Sequence, residues 1–281
     1  MFIYLPVSTF FTLQASEAFE HLRSFRMRYL LALLALLPLT AAASECRYSA
    51  PRTLHDDLAG IRRVQIELHS QDLHLVGTGN ASGLQVNGRA CASSQSELDN
   101  LQVTSRREGD QLIIDIGAHN TFNVRVFGVS YAYLDLQAQL PANMPVSINT
   151  GSGDAYVSGL AQLDAQTGSG DLHVDHVAGE VSVTTGSGDV ELSDVGSVRA
   201  DSVGSGDLKA RNVRNGVNIG NVGSGDVTLE HVGGSVHVDT IGSGDVTAKD
   251  VRGDLVVAAK GSGDVTHSEI GGKVSVPNDN D

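Results

Sequence analysis

An aspartate recurs at near-constant spacing through the second half of this 281-residue chain, each time closing the sequence Gly-Ser-Gly-Asp. The spacings between successive copies are 17, 18, 18, 19, 19 and 19 residues. The motif begins at Gly151, Gly168, Gly186, Gly204, Gly223, Gly242 and Gly261, and its aspartates are Asp154, Asp171, Asp189, Asp207, Asp226, Asp245 and Asp264. If the copies stack, these carboxylates form one column.

Two kinds of chemistry could hold such a column together. Carboxylates about 5 Å apart repel by about 1 kcal/mol even in water, so the repulsion must be offset. Aspartate in a glycine-rich turn accepts hydrogen bonds from nearby backbone N–H groups, whereas Ca²⁺ binds carboxylate and carbonyl oxygens. Known glycine-rich calcium coils repeat every nine residues with a different glycine pattern, which favours backbone capping and leaves calcium as the alternative.

Histidine pairs are a second candidate for metal binding. His173 with His176, and His231 with His237, could in principle share a metal ion. Neither pair is accompanied by cysteine or by a repeated histidine column, so surface histidines without a metal are favoured. We expect no cofactor.

The repeats contain a single basic patch, which is the candidate for a catalytic site. Its members are Arg199, Asp201, Lys209, Arg211 and Arg214. Carboxylates converging with a basic side chain could cleave a polysaccharide. Balance of charge on an acidic surface explains the same residues more simply.

Apolar residues show how each repeat positions its aspartate. The first and third residues after each aspartate are almost always apolar, which is the alternation of a strand, and a second short alternation follows a turn. Stacked copies of such a unit bury their apolar faces as two parallel sheets about 10 Å apart. We therefore predict an all-β fold: a right-handed parallel β-solenoid with two short strands in each coil of 17–19 residues.

The glycines and the outward-facing residues complete this prediction. We expect the motif glycines to supply positive φ angles at corners where a Cβ would clash with the next coil. The second residue after each aspartate points outward, and these residues are Tyr156, His173, Glu191, Lys209, Thr228, Thr247 and Thr266. The fourth residues are Ser158, Asp175, Ser193, Arg211, Glu230, Lys249 and Ser268. Both columns are typical of mixed, solvated faces.

The remaining sequence divides into three further segments. Residues 44–149 contain strand patterns without a period and are predicted to be an irregular β cap for the seven coils of residues 150–276. Residues 277–281 form a polar tail. Residues 1–43 are predicted to be an N-terminal extension and a secretory signal peptide, with its core at residues 27–43 and cleavage near Ala43.

Export sets expectations for the mature chain. We expect a periplasmic or extracellular protein of a bacterium, with no transmembrane segment after cleavage. Cys46 and Cys91 would then be in an oxidising compartment, where a disulfide between them is favoured over two free thiols. Without residues 1–43 the chain has 16 positive and 31 negative side chains, a net charge of −15, which excludes nucleic acid as a natural partner.

The sequence from Leu136 to Pro141, the segment from Val146 to Asp154 and the recurring Gly-Ser-Gly-Asp-Val texture resemble a known bacterial family. It is the candidate-adhesin family of exported β-repeat proteins, whose relatives carry auto-transporter adhesin head-like domains. The resemblance covers roughly Gly60 to Val276. It implies a β-helical fold at the cell envelope and no catalytic residues.

Two hypotheses about function follow. The first is a non-catalytic, exported structural or interaction protein of the cell envelope, possessing an adhesin-like role and binding an unidentified protein or glycan. The alternative is a polysaccharide-processing enzyme, because parallel β-helices also include such enzymes.

Overall fold

The computed structural model describes residues 46–118 and 130–277, which form two large β-sheets. The strands of sheet A are β1 Tyr48–Asp57, β3 Asp72–Thr78, β4 Gly83–Ala92, β7 Ala132–Pro141, β9 Ala155–Ser158, β11 Leu172–Asp175, β13 Val190–Ser193, β15 Leu208–Val213, β17 Val227–Val232, β19 Val246–Val251 and β21 Val265–Ile270. The predicted leader, residues 1–43, and the last four residues of the predicted tail lie outside the described residues.

Sheet B supplies the second strand of each coil. Its strands are β2 Arg63–Leu68, β5 Leu101–Glu108, β6 Gln111–Ala118, β8 Val146–Thr150, β10 Leu163–Thr167, β12 Glu180–Thr185, β14 Ser197–Val203, β16 Val217–Val222, β18 Val236–Ile241, β20 Leu255–Lys260 and β22 Val274–Ser275. One short helix, α1 Gln95–Asn100, follows β4. No helix in the described ranges is long and apolar enough to cross a membrane.

The repeats form the predicted two-sheet parallel β-solenoid. Each Gly-Ser-Gly-Asp turn joins a strand of sheet B to the next strand of sheet A, and strands of successive coils pair in parallel. Burial alternates along the strands, so that in β17 Val227 and Leu229 face the core while Thr228 faces outward. The core between the sheets consists of valine, leucine, isoleucine and alanine, as the apolar pattern predicted.

Regular coil stacking also extends into the segment that was expected to be irregular. Strand β2 pairs in parallel with β8, and β3 pairs in parallel with β9, so β2 and β3 form a further coil. Its turn is His69-Ser70-Gln71-Asp72, which contains no glycine. Strands β6 and β7 add one more parallel layer beyond it.

Antiparallel strands close this end of the stack. In sheet A, β4 lies antiparallel between β7 and β1; in sheet B, β5 pairs antiparallel with β6. A disulfide joins Cys46 to Cys91, with 5.5 Å between their Cα atoms, and so ties the start of β1 to the end of β4. We call β1, β4, α1 and β5 the cap.

The expected positive φ angles of the motif glycines are wrong. Within the described residues, positive φ occurs at only three glycines, Gly60, Gly109 and Gly159, none of which belongs to the motif. The predicted clash between a Cβ at these glycines and the neighbouring coil is present. A Cβ on Gly188 would overlap the carbonyl oxygen of Gly170 in the preceding coil, and each later motif glycine meets its predecessor in the same way.

Left-handed backbone occurs at the other end of each sheet A strand. Seven residues there, each five positions after a motif aspartate, have φ between 52° and 73°. They are Gly159, His176, Asp194, Asn212, His231, Asp250 and Glu269, and we call this column the left-handed corner. Asparagine, aspartate and histidine tolerate this conformation better than most residues, which explains the side chains that predominate there.

Candidate binding groove

The aspartates bind the backbone of the next coil. The Oδ1 atom of Asp154 accepts a hydrogen bond of 2.9 Å from the backbone N–H of Asp171, and the same bond recurs along the stack at 2.8–3.0 Å. It also extends back to Asp72, whose Oδ1 accepts from the N–H of Asp154 at 3.0 Å. We call this column, from Asp72 to Asp264, the aspartate ladder.

This geometry supports backbone capping over calcium binding at the aspartate ladder. From Asp72 to Asp245, one oxygen of each ladder carboxylate already accepts a hydrogen bond from a backbone N–H, which offsets part of the repulsion between neighbours. In the described ranges, no three ladder carboxylates bring their oxygens within 4.8 Å of one another. The fourteen glycines of the seven motifs lie at the same turns, where they allow coils to approach closely.

A groove lies beside the ladder on the outer face of sheet A. It has a volume of about 320 Å³ and is open along the sheet. Its outward-pointing side chains come from β3, β9, β11, β13 and β15: His74, Val76, Tyr156, Ser158, His173, Asp175, Glu191, Ser193, Lys209 and Arg211. The register of the parallel strands sets these side chains in two columns, one coil apart.

Three aromatic rings stack at one end of the groove. The rings of His74 and Tyr156 are 4.6 Å apart and within 10° of parallel, and those of Tyr156 and His173 are 4.8 Å apart and within 8°. This spacing matches the distance between coils, so the backbone holds the stack. Val76 is 39% exposed and Tyr156 is 37% exposed, which makes this end apolar as well as aromatic.

The other end of the groove is charged. His173 Nδ1 lies 3.4 Å from Glu191 Oε2. Lys209 follows Glu191 in the same column, and Arg211 lies in the second column with its Nε 3.8 Å from Glu230 Oε2. The groove therefore changes from aromatic to ionic over about five coils.

The pKa of the Tyr156 hydroxyl departs clearly from its ordinary value. Partial burial raises the pKa of its hydroxyl above 10.0, and the carboxylates of Asp154, Asp72 and Asp171 raise it further. The hydroxyl therefore stays protonated and can donate a hydrogen bond into the groove.

The predicted basic patch is divided between the two sheets. Arg199 and Asp201 lie on β14 of sheet B, where the Nε of Arg199 is 3.0 Å from Oδ1 of Asp201. Lys209 and Arg211 lie on β15 of sheet A, and their side chains point away from the other pair. Arg214 follows β15, and its Nη2 donates to the carbonyl oxygens of Val177 and Ala178.

The histidine pairs are separated in the same way. His173 lies in the groove, whereas His176 lies at the left-handed corner with Nδ1 2.6 Å from Asp175 Oδ2. His231 also lies at the corner, but His237 is on sheet B beside Asp239. Neither pair shares a site.

Sequence reasoning missed the aromatic end of the groove. His74 and Val76 belong to the β2–β3 coil, whose turn lacks the glycines of the motif. The available signal was the aspartate itself, because Asp72 stands between two alternating apolar segments as each motif aspartate does. Aligning the chain on that aspartate places His74 in the column of Tyr156 and His173.

The fold and the repeated turn define this chain as a two-sheet β-solenoid whose successive coils are joined by hydrogen bonds to aspartate side chains. The chain belongs to the toastrack DUF4097 family, whose model matches residues 61–273. The predicted family relationship is thereby confirmed. No curated protein matches the chain.

Several solved structures resemble it at low identity. A candidate adhesin from Bacteroides fragilis is 16% identical, with 82% of this chain and 97% of that chain covered and a TM-score of 0.44. A candidate cell adhesion protein from Clostridium sporogenes is 12% identical, with 81% and 100% covered and a TM-score of 0.34. A candidate lipid binding protein from Parabacteroides distasonis is 13% identical, with 80% and 97% covered and a TM-score of 0.37.

Proposed function

We propose that this chain is a non-catalytic, exported binding protein of the bacterial cell envelope, with an adhesin-like role, whose groove holds a glycan chain of the envelope or of another cell surface. The observation that carries the proposal is the groove itself. It combines exposed aromatic and apolar side chains with a small set of polar groups, which is the usual composition of a binding site.

The arrangement of the polar groups favours a chain-like ligand. Hydroxyls of Ser158 and Ser193, carboxylates of Asp175 and Glu191, and the Lys209 ammonium recur at multiples of the coil spacing, about 4.8 Å. A glycan lying along the solenoid presents hydroxyl groups at a comparable repeat. The Tyr156 ring and its protonated hydroxyl supply apolar contact and a hydrogen-bond donor together.

Export to the envelope is part of the same proposal. It rests on the signal-peptide pattern at residues 27–43, and the cysteine pair joined in the cap suits an oxidising compartment. The separation of Asp201 from Lys209 on opposite sheets argues against the enzyme alternative, because its acid and base would have to converge on one bond.

The test is binding of the purified, exported protein to an array of bacterial envelope polysaccharides, host-surface glycans and peptides. Tyr156→Ala and Lys209→Ala should each weaken binding to the selected glycan about tenfold or more, since central anchors dominate affinity. Thr228→Ala is the matched control, because Thr228 lies in the same column beyond the groove and should bind as wild type.

Three outcomes would contradict the proposal. The first is that the protein binds no glycan on the array, and the second is that it binds only peptides. The third is that Tyr156→Ala binds the selected glycan as tightly as wild type does. Incubation with the selected polysaccharide should yield no cleavage product, and a product that disappears in Lys209→Ala would favour the enzyme instead.

A further inference from the structure

Asp175, His176 and Asp194 converge at the left-handed corner, at the edge of the groove. His176 Nδ1 is 2.6 Å from Asp175 Oδ2, and its Nε2 is 4.0 Å from Asp194 Oδ2. Ligand atoms from all three side chains lie within 4.8 Å of one another. Over residues 46–118 and 130–277, no other group of three histidine, cysteine or acidic side chains meets that limit.

The backbone holds these residues in place. Asp175 pairs with Ser193 in the parallel ladder, and the N–H of His176 donates to the carbonyl oxygen of Ser193 at 3.1 Å. The N–H of Asp194 donates in turn to Arg211 of the next coil, also at 3.1 Å. His176 and Asp194 share a φ of 56°, so their side chains leave two successive coils in the same direction.

The side chains themselves are open to solvent. The exposed fractions are 69% for His176, 51% for Asp175 and 43% for Asp194. An ion could therefore enter without any opening of the fold, and water could complete its coordination.

We propose that Asp175, His176 and Asp194 bind a divalent transition metal ion of the Zn²⁺ class. One imidazole nitrogen with two carboxylate oxygens is a donor set that suits zinc and its neighbours, and three protein ligands with water are a common open arrangement. Ca²⁺ prefers sites made entirely of oxygen and should bind here more weakly. The site is separate from the aspartate ladder, whose carboxylates bind backbone N–H groups.

A second set of one histidine and two acidic residues lies three coils further along the solenoid and can be compared with this site. Glu230, His231 and Asp250 occupy the same three register positions, and His231 Nε2 is 3.9 Å from Asp250 Oδ2. There, however, Arg211 lies 3.8 Å from the Glu230 carboxylate, and the three ligand groups do not converge. A neighbouring cation lowers the affinity of a carboxylate for a metal, so this second set should not bind.

The inference does not depend on the proposed function. Asp175 also lines the groove, so a bound ion would lie at its edge, but metal binding can be measured without any glycan. The experiment is calorimetric titration of Zn²⁺ into the chelator-treated, full exported protein. Cobalt absorption provides a second readout of the donor set.

We expect one saturable Zn²⁺ ion per chain, with little heat from Ca²⁺. His176→Asn should weaken binding about tenfold or more, and Asp194→Asn should do the same. Asparagine tolerates left-handed backbone, so these variants keep the corner, and unchanged melting temperatures without metal would verify this. His231→Asn, the matched control, should bind as wild type.

Four results would overturn the inference: no saturable binding, equal affinity for Ca²⁺, full binding by His176→Asn, or equal losses in His176→Asn and His231→Asn. The last would indicate unspecific binding to surface histidines. Loss of glycan binding without loss of zinc binding would leave this site standing and contradict only the proposed function.

Discussion

Each aspartate of the ladder from Asp72 to Asp245 contributes to stability through the coil that follows it. The carboxylate of Asp171 accepts the backbone N–H of Asp189 at 2.9 Å, a bond that also orients the next turn. Hydrogen bonds to charged groups are stronger than those between neutral ones. This stabilising role is sufficient to explain why the aspartate recurs, without a bound ligand.

Replacing one ladder carboxylate should be measurable by urea unfolding. We expect Asp171→Ala to lower the free energy of unfolding by about 1–2 kcal/mol, because an interior turn loses its acceptor. Asp171→Asn keeps an oxygen acceptor and should cost less. Asp164→Ala, an acid outside the ladder, should stay within about 0.5 kcal/mol of wild type.

The result that would contradict this prediction is a stabilising effect of Ca²⁺ that depends on the ladder carboxylate. If Ca²⁺ raised the unfolding midpoint of wild type but not that of Asp171→Asn, the ladder would be a metal site and backbone capping would not be a sufficient account.

Tyr156 gives the molecule a pH dependence at alkaline pH. Since the pKa of its hydroxyl is raised in the folded state, the folded protein holds the proton more tightly than the unfolded chain does. The resulting stability is complete below about pH 10 and is lost as pH rises through the folded-state pKa. Urea midpoints between about pH 9 and about pH 11 should fall more steeply in wild type than in Tyr156→Phe. Parallel curves would contradict the assignment.

At the scale of the coil, close approach of backbones explains the motif glycines. A Cβ at Gly188 would overlap the carbonyl oxygen of Gly170, which belongs to the main chain and cannot rotate away. The whole coil would have to shift, and this shift would disturb its parallel hydrogen bonds to the coils on both sides.

Alanine at a motif glycine should therefore be severe. We expect Gly188→Ala to lower the free energy of unfolding by about 3 kcal/mol or more. Gly79→Ala is the matched control, because nothing lies within 4 Å of a Cβ there, and it should be neutral or slightly stabilising. Chemical denaturation of both variants provides the comparison, and similar costs at the two sites would contradict the steric account.

The coils could be predicted from sequence because each depends on a local, repeated pattern. Alternation after Asp226 or Asp245 identifies inward and outward residues without knowledge of distant contacts. The β2–β3 coil was harder to recognise, because its turn lacks the motif glycines and Asp72 between two alternating segments is its local signal. Its neighbour β8 follows β2 by about eighty residues in the chain, so the repeat period does not lead to it and the strand pairing places it in the stack.

The same limit explains what was missed in the groove. Both columns of the groove were visible in the sequence, as the second and fourth residues after each motif aspartate. A column of mixed residue types, however, indicates no function by itself. His74 completes the aromatic stack only once β3 is placed beside β9. The left-handed corner was missed because histidine, aspartate and asparagine do not share a sequence signature as glycine does.

At the scale of the whole molecule, the two ends of the solenoid differ. The first end is covered by the cap and its disulfide, whereas β21 and β22 form the outermost described strands at the other end and are largely exposed. At the cap end the outermost described strands, β1 and β5, pair antiparallel with their neighbours, whereas at the other end the outermost strands are parallel.

The disulfide should stabilise the cap locally. Replacing both Cys46 and Cys91 with serine should cost about 2–4 kcal/mol by chain-entropy arguments for a loop of this length, 45 residues. Amide exchange should then rise in β1 and stay unchanged in β12–β18, because coils in a solenoid depend mainly on their neighbours. Uniformly faster exchange would show that the cap and the coils unfold together.

The groove lies on the outer face of sheet A, near the cap, and its position is the central claim about function. The most direct test is amide hydrogen exchange of the purified protein with and without the tightest-binding oligosaccharide found on the array. The account predicts added protection in β3, β9, β11, β13 and β15. Added protection confined to sheet B, or to the Gly-Ser-Gly-Asp turns of the later coils, would contradict it.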